Sequence, residues 1–283
     1  MDRITGKVVV ITGAARGIGR ATAEALLARG ARVVIGDRDV HALDACVTEL
    51  NRAGQISGYP LDVTDAESFA VFLDKARGDG GGRIDVLINN AGVMPVGPFL
   101  DHSEQAIRSA IEVNFYGVLN GCRLVLPEMR KRRSGHIVNI ASVAGVLAVP
   151  GQALYAGTKF AVVGLSTALS DEFAPHGVDV SVVLPTFTNT ELISGTDATG
   201  ARKPLQPNEI AAAVVKILDK PTTAVSVPGP LRPISILSQL LPPRGRRWLS
   251  HKLGNDTVFL SVDTSARAAY EKRAQSSTGV QDD

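Results

Sequence analysis

The chain has 283 residues, 45% of them hydrophobic, with 30 Lys/Arg against 28 Asp/Glu and a formal net charge of +2. That content suffices for one large α/β domain or two small ones, and the charge balance excludes a global preference for nucleic acid or acidic partners. Two cysteines, Cys46 and Cys122, make no disulfide framework, and no metal-ligand spacing is present. No apolar run reaches the ~18 residues of a membrane span. Asp2 and Arg3 lead straight into a strand without a signal peptide, so the expectation is a cytoplasmic protein.

Residues 7–12 are a β-branched strand, followed by Gly13-Ala14-Ala15-Arg16-Gly17-Ile18-Gly19 and a helix through Arg29. Strand, glycine-rich turn and helix in that order form a phosphate cradle. Glycine lets the backbone approach a pyrophosphate, and the helix N-terminus offers free N–H groups and a positive dipole end. The spacing is GxxxGxG, not GxGxxG, and the alternative is a glycine turn without a ligand. Strand 32–36 ends at Asp37. A carboxylate there accepts both hydroxyls of an adenosine ribose and repels a 2′-phosphate, which argues for NAD. Arg16 and Arg38 leave NADP open, or are a solvated basic surface.

Helix and strand patterns then alternate: helix 41–53, strand 56–61 into Asp62-Val63, helix 66–77, and strand 84–88 into Asn89-Asn90-Ala91-Gly92. A long helix over residues 107–129 is interrupted by Asn114, an awkward residue in a helix interior. Strand 136–140, a helix to about Ala174, strand 178–184, helix 208–218 and strand 223–227 complete the pattern. Such alternation implies a parallel sheet of about seven strands with helices on both faces, in a single α/β domain ending near residue 228. Ligands are expected at the C-terminal ends of the strands.

Tyr155 and Lys159 lie four residues apart, one turn along a helix face, and Ser142 lies thirteen residues before Tyr155 at a strand end. At ~5 Å and an effective dielectric near 20, the ammonium and the phenolate interact by roughly 3 kcal/mol, or about two pKa units. The expectation is a Tyr155 pKa lowered to about 8, useful for acid–base work near neutral pH. A surface Tyr and Lys on an ordinary helix is the alternative.

In combination, Thr12-Gly13-x-x-x-Gly17-Ile18-Gly19, Asn89-Asn90-Ala91-Gly92, Asn114, Ser142 and Tyr155-x-x-x-Lys159 resemble the short-chain dehydrogenase/reductase family over residues 5–228. The resemblance implies a Rossmann-type, doubly wound parallel β-sheet that binds a nicotinamide cofactor, and an oxidoreductase with Tyr155 as general acid/base and Lys159 binding the nicotinamide ribose and lowering the Tyr155 pKa. Ser142 would polarise the substrate oxygen, and Asn114 would hold a proton-relay water. It implies further that Asp37 selects NAD, that Asp62 and Val63 contact adenine, and that Asn89 and Ala91 lie near the adenosine ribose. Gly92, Pro185, Thr188 and Thr190 fall at cofactor-contact positions by the same resemblance. Thr186 stands where the family has glycine, which puts the backbone there in question. Family members pair through two long helices, here residues 107–129 and 152–174, so a homodimer or homotetramer is implied.

Candidate substrate walls are residues 93–96, Val143 to Leu147, Val149, Pro150, Gln152, Phe187, Leu192 and Ile193. They are overwhelmingly apolar, with no Arg or Lys to hold a carboxylate, and favour a lipophilic alcohol or carbonyl substrate; some could equally be core. Residues 186–207 read as a lid. Residues 229–283 are an extension beyond the catalytic domain of residues 1–228: an apolar helix over 234–241, a basic run with Trp248, a helix over 264–275 and a disordered end from Ser276. Between Leu231 and Lys252 there are five Lys/Arg and no acid. This segment caps the pocket or an interface, contacts an anionic membrane surface peripherally through residues 234–252, or is a plain appendage. The reading reached is an NAD-dependent alcohol/carbonyl oxidoreductase. The alternatives are an NADP-dependent carbonyl reductase and a non-catalytic cofactor-binding scaffold, the latter opposed by the intact Asn114, Ser142, Tyr155 and Lys159 set.

Overall fold

A computed structural model describes residues 2–196, 204–229, 241–252, 258–260 and 262–275. The strands are β1 (Val8–Thr12), β2 (Arg32–Asp37), β3 (Ile56–Pro60), β4 (Val86–Asn89), β5 (Gly135–Ile140), β6 (Val178–Pro185) and β7 (Ala224–Val227). The helices are α1 (Gly17–Leu27), α2 (Val40–Leu50), α3 (Ala66–Asp79), α4 (Glu104–Ile111), α5 (Gly117–Arg132), α6 (Ala153–Phe173) and α7 (Pro207–Asp219), then α8 (Pro243–Lys252) and α9 (Thr264–Gln275).

The strands form one sheet in the order β3-β2-β1-β4-β5-β6-β7, parallel throughout. They are continuous apolar runs because helices cover both faces. Leu26, Leu43, Cys46 and Val214 of α1, α2 and α7 pack on one face. Phe69, Phe72, Cys122, Val125 and Val162 of α3, α5 and α6 pack on the other. Full burial of each such large side chain contributes about 1.5–3 kcal/mol. Both cysteines are unpaired core residues, and burial pushes the Cys122 thiol up to about 12. β1 lies between β2 and β4, so the winding reverses there and a crevice opens beyond the strand C-termini.

Caps mark the helix starts. Asp39, Asp65 and Ser103 accept from the N–H groups of Ala42, Glu67 and Ala106 at α2, α3 and α4. α1 differs, because the extended Arg16 before it supplies no side-chain cap. The long helix expected over 107–129 begins at Glu104 and is divided by a π-turn over Glu112–Tyr116, where the Gly117 N–H reaches Glu112 O. The extra residue carries Asn114 out of the regular ladder and into the interior, where it is fully buried.

The expected helix over 234–241 lies outside the described residues apart from Leu241, as do residues 197–203 of the expected lid and the end from Ser276. α8 carries the basic run, with Trp248 exposed. The tail then returns to the body of the molecule. Phe259 is buried, its ring centre 5.4 Å from that of Phe187. Gly151 (φ +77°) and Gly195 (φ +70°) make this docking possible, because a Cβ on either would collide with the carbonyl of Phe259 or Asp263. The Asp263 N–H donates to Gly195 O at 2.8 Å.

Candidate active site

A cleft of about 1390 Å³ runs from the glycine turn, across the strand ends, to the docked tail. One small-molecule pocket usually takes about 300–1,000 Å³, so the space suits an extended ligand and a second, smaller one.

At the glycine end, Gly13 has φ +62°, and a Cβ there would lie 2.6 Å from Ala91 Cα. Thr12 Oγ1 accepts the N–H groups of Asn90 and Ala91 at 3.0 and 3.1 Å, while Asn90 Nδ2 donates to the carbonyls of Thr12 and Gly13. The two strand ends at the winding reversal are thereby locked together. Gly17 (φ +56°) faces Thr190, and Gly19 packs on Asn90 instead of lining the cleft. Gly13, Arg16, Gly17, Ile18, Asp37, Arg38, Asp62, Val63, Ala91 and Gly92 line it, opposite Pro185, Thr188 and Thr190.

The Asp37 carboxylate accepts the Ala15 N–H at 3.0 Å and the Asp39 N–H at 3.1 Å, so it also pins the turn it faces. Arg16 is charge-paired: its Nη2 lies 2.7 Å from Asp39 Oδ2. The Ala42 N–H and then this guanidinium hold the Asp39 carboxyl below its usual range. Asp62 Oδ1 accepts from the N–H and hydroxyl of Thr64.

Asn89 corrects the expectation that it lies near a ribose. Side chains alternate along a strand, and Asn89 points into the core, where Nδ2 donates to Asn139 Oδ1 at 2.8 Å. Asn90 takes the place at the cleft. Thr186 answers the question raised by its missing glycine. Its φ is not positive, and its N–H continues the sheet by donating to Val227 O at 3.0 Å.

At the other end, the start of α6 presents Tyr155 and Lys159, both buried. Lys159 Nζ lies 5.6 Å from the Tyr155 ring centre and donates to Ile140 O at 3.0 Å. Ser142, at the β5 end, accepts the Ala144 N–H at 3.1 Å and donates to Pro185 O at 3.4 Å. The expected lowering of the Tyr155 pKa is overturned in this state. Burial pushes it above its ordinary value; the Ser142 hydroxyl works against that, and the nearby Tyr270 adds to it. Burial also pushes Lys159 down to about 8, so the ammonium charge that was to stabilise the phenolate is itself weakened.

Asn114 does not line the cleft but stands behind Gly92. Its Oδ1 accepts the Val93 N–H, and its Nδ2 donates to Val93 O and Thr158 Oγ1. A Cβ on Gly92 would lie 3.2 Å from Asn114 Oδ1 and 3.6 Å from Lys159 Nζ, so glycine keeps the space shared by those two groups open.

The apolar wall comprises Val93, Met94, Val143, Ala144, Leu147, Val149, Phe187, Leu192 and Ile193, with Gln152 the polar member. Pro95 and Val96 line a neighbouring smaller hollow instead. Sequence reasoning missed Val258, Phe259 and Tyr270, which complete the wall from the tail. The signal available was the Arg267-x-x-Tyr270 pair, one turn apart on a helix otherwise short of apolar residues. Arg267, fully buried, donates to the carbonyls of Leu192 and Ser194 at 2.9 Å each and to Met94 O, and ties α9 to both sides of the pocket.

Among the described residues, no helix is long and apolar enough to cross a membrane. The short chain dehydrogenase profile matches residues 7–200. An uncharacterised oxidoreductase of Staphylococcus saprophyticus is 38% identical over 231 residues, covering 78% of this chain and 93% of that protein. The 3-oxoacyl-[acyl-carrier-protein] reductase FabG of Thermotoga maritima is 39% identical over 191 residues, covering 67% and 77%. A short chain dehydrogenase/reductase from Burkholderia phymatum, solved in complex with NAD, superposes with a TM-score of 0.78 at 28% identity, covering 84% of this chain and 95% of that one. With the seven-stranded parallel sheet in agreement with these matches, the chain belongs to the short-chain dehydrogenase family and is an oxidoreductase of that family.

Proposed function

We propose that the protein interconverts a hydrophobic alcohol and its ketone or aldehyde, with NAD as hydride carrier. One observation carries this reading: a single cleft joins the Gly13–Gly19 turn and Asp37 to Ser142, Tyr155 and Lys159. The cradle fits a dinucleotide, because the positive φ of Gly13 and Gly17 and the uncapped start of α1 leave backbone open to a pyrophosphate. The bound NAD of the Burkholderia phymatum protein supports the same choice. Asp37 would receive the adenosine ribose hydroxyls, and the Arg16–Asp39 pair leaves Arg16 a weak attractor for a 2′-phosphate. Arg38 lines the cleft and favours NADP as the second reading.

A nicotinamide bound there supplies or accepts the hydride. Tyr155 gives the substrate oxygen a proton during reduction and removes one during oxidation. Ser142, at the same end of the cleft, donates to the same oxygen. Lys159 would hold the nicotinamide ribose and return the proton to Tyr155, and Asn114 Oδ1 would hold a water beside Gly92. A Tyr155 raised by burial is a strong base once deprotonated and needs a charged Lys159 to ionise near neutral pH.

The apolar wall from Val143 to Val149 and around Phe187 favours a lipophilic substrate. The exposed Ile111, Tyr116 and Phe160 on α4, α6 and the turn between α4 and α5 favour association of copies through these helices. The basic α8 with its exposed Trp248 favours peripheral contact with an anionic membrane. Residues 229–283 are read as an extension that completes the pocket of the 1–228 domain. The decisive experiment is Tyr155→Phe: turnover of lipophilic alcohols falls at least about a thousandfold while NADH affinity stays within about twofold. Retained turnover overturns the assignment.

A further inference from the structure

The substrate end of the cleft holds a second buried phenol. Tyr270 is at most 8% exposed and lines the cleft together with Tyr155. Its hydroxyl accepts the Met94 N–H at 2.7 Å, and among the described residues no acceptor takes its own proton. An N–H···Oη bond uses the oxygen lone pair and leaves the O–H as a donor. Burial raises the phenol above its ordinary value, which favours the protonated donor.

The group is also held in place. The Arg267 guanidinium lies 4.6 Å from the Tyr270 ring centre and is anchored by carbonyls on both sides of the pocket. Phe259 on Phe187 and the close passages at Gly151 and Gly195 fix the tail at Phe259 and Asp263. The wall around it is mostly Val, Leu, Ile, Met and Phe side chains, with Gln152 its other polar member apart from Ser142 and Tyr155, so a donor this well positioned suits an acceptor oxygen on an otherwise apolar molecule.

We propose that Tyr270 is a specificity-determining residue, and that the substrate is a lipophilic compound with a second acceptor oxygen, carbonyl or ether, away from the carbon that is oxidised or reduced. This rests on the proposed function, in which Ser142 and Tyr155 take the reacting oxygen; Tyr270 takes the other.

The test uses the full chain with NADH and linear methyl ketones of one length, with and without a second carbonyl at increasing separation. For wild type, kcat/KM for the best diketone exceeds that of the matched monoketone by about tenfold, the worth of one neutral hydrogen bond. Tyr270→Phe keeps the ring packing, brings the two values within about twofold, and does so by lowering the diketone alone. A parallel fall for both ketones shows a merely structural role and overturns the proposal, as does an unchanged ratio. The underlying reaction is checked separately: if Tyr155→Phe still turns over, or wild type binds NADH but reduces no ketone, the proposed function falls and this inference with it.

Discussion

Replacing Asp37 with Asn tests the cofactor reading most directly. Alanine would be a poor choice, because the carboxylate also accepts the Ala15 and Asp39 N–H groups and its removal would loosen the glycine turn. Asparagine keeps the shape and one acceptor oxygen, enough for one of those two N–H groups, but loses the charge. Two effects then add. Hydrogen bonds from ribose hydroxyls to a charged acceptor are worth about 1.5–3 kcal/mol, against about 0.5–1.5 for a neutral one, so NADH binding weakens by about 1 kcal/mol. A 2′-phosphate about 5 Å from the carboxylate meets roughly 3 kcal/mol of repulsion per unit charge at an effective dielectric of 20. Asp37 is only partly buried, and salt screening at physiological ionic strength reduces that to about half. The NADPH/NADH affinity ratio of Asp37→Asn is therefore expected to rise about a hundredfold. Fluorescence titration with both reduced dinucleotides reads the ratio, and a repeat in high salt should shrink the shift. A change of less than about threefold would remove Asp37 from the ribose site.

Lys159 gives a pH signature in the protein without dinucleotide. Its pKa in the folded state, about 8, lies below the ordinary 10.5, so the unfolded chain binds more protons between those values and stability rises with pH across that window. Relative to Lys159→Met, wild type should gain about 2 kcal/mol from pH 8 to pH 10 in urea unfolding; a flat difference would refute a buried, depressed lysine. Gly13→Ala should cost about 1–3 kcal/mol and abolish NADH binding, because its φ is +62° and the new Cβ would strike Ala91; a normal melting temperature with normal titration would contradict the close approach. Arg267→Met leaves the carbonyls of Met94, Leu192 and Ser194 without their donor. It should expose the tail from Val258 onward to proteolysis and speed its hydrogen exchange, with β1 and β5 unaffected.

Much of this protein is local in origin. A β-branched run, a glycine-rich turn and an amphipathic helix specify their own conformations within a dozen residues, so all seven strands and the order of elements could be read from the chain. The Asp37 and Tyr155–Lys159 placements followed from strand ends and helical spacing for the same reason. Asn114 was visible as an irregularity, although only the π-turn explains why it is buried. Other features depend on what comes from far along the chain. Asn89 faces Asn139 across fifty residues, and Arg16 is matched with Asp39 on the next βα unit. Thr186 proved compatible with its place because β7 lies beside it to accept its N–H. The direction of the Tyr155 and Lys159 shifts is the sharpest case. A pairwise Coulomb estimate needs only their spacing, but desolvation depends on every element packed around them, and it is the leading cause at both groups. The tail pocket is decided the same way: spacing on α9 brings Arg267 and Tyr270 together, but only tertiary packing turns them toward Met94 and the cleft.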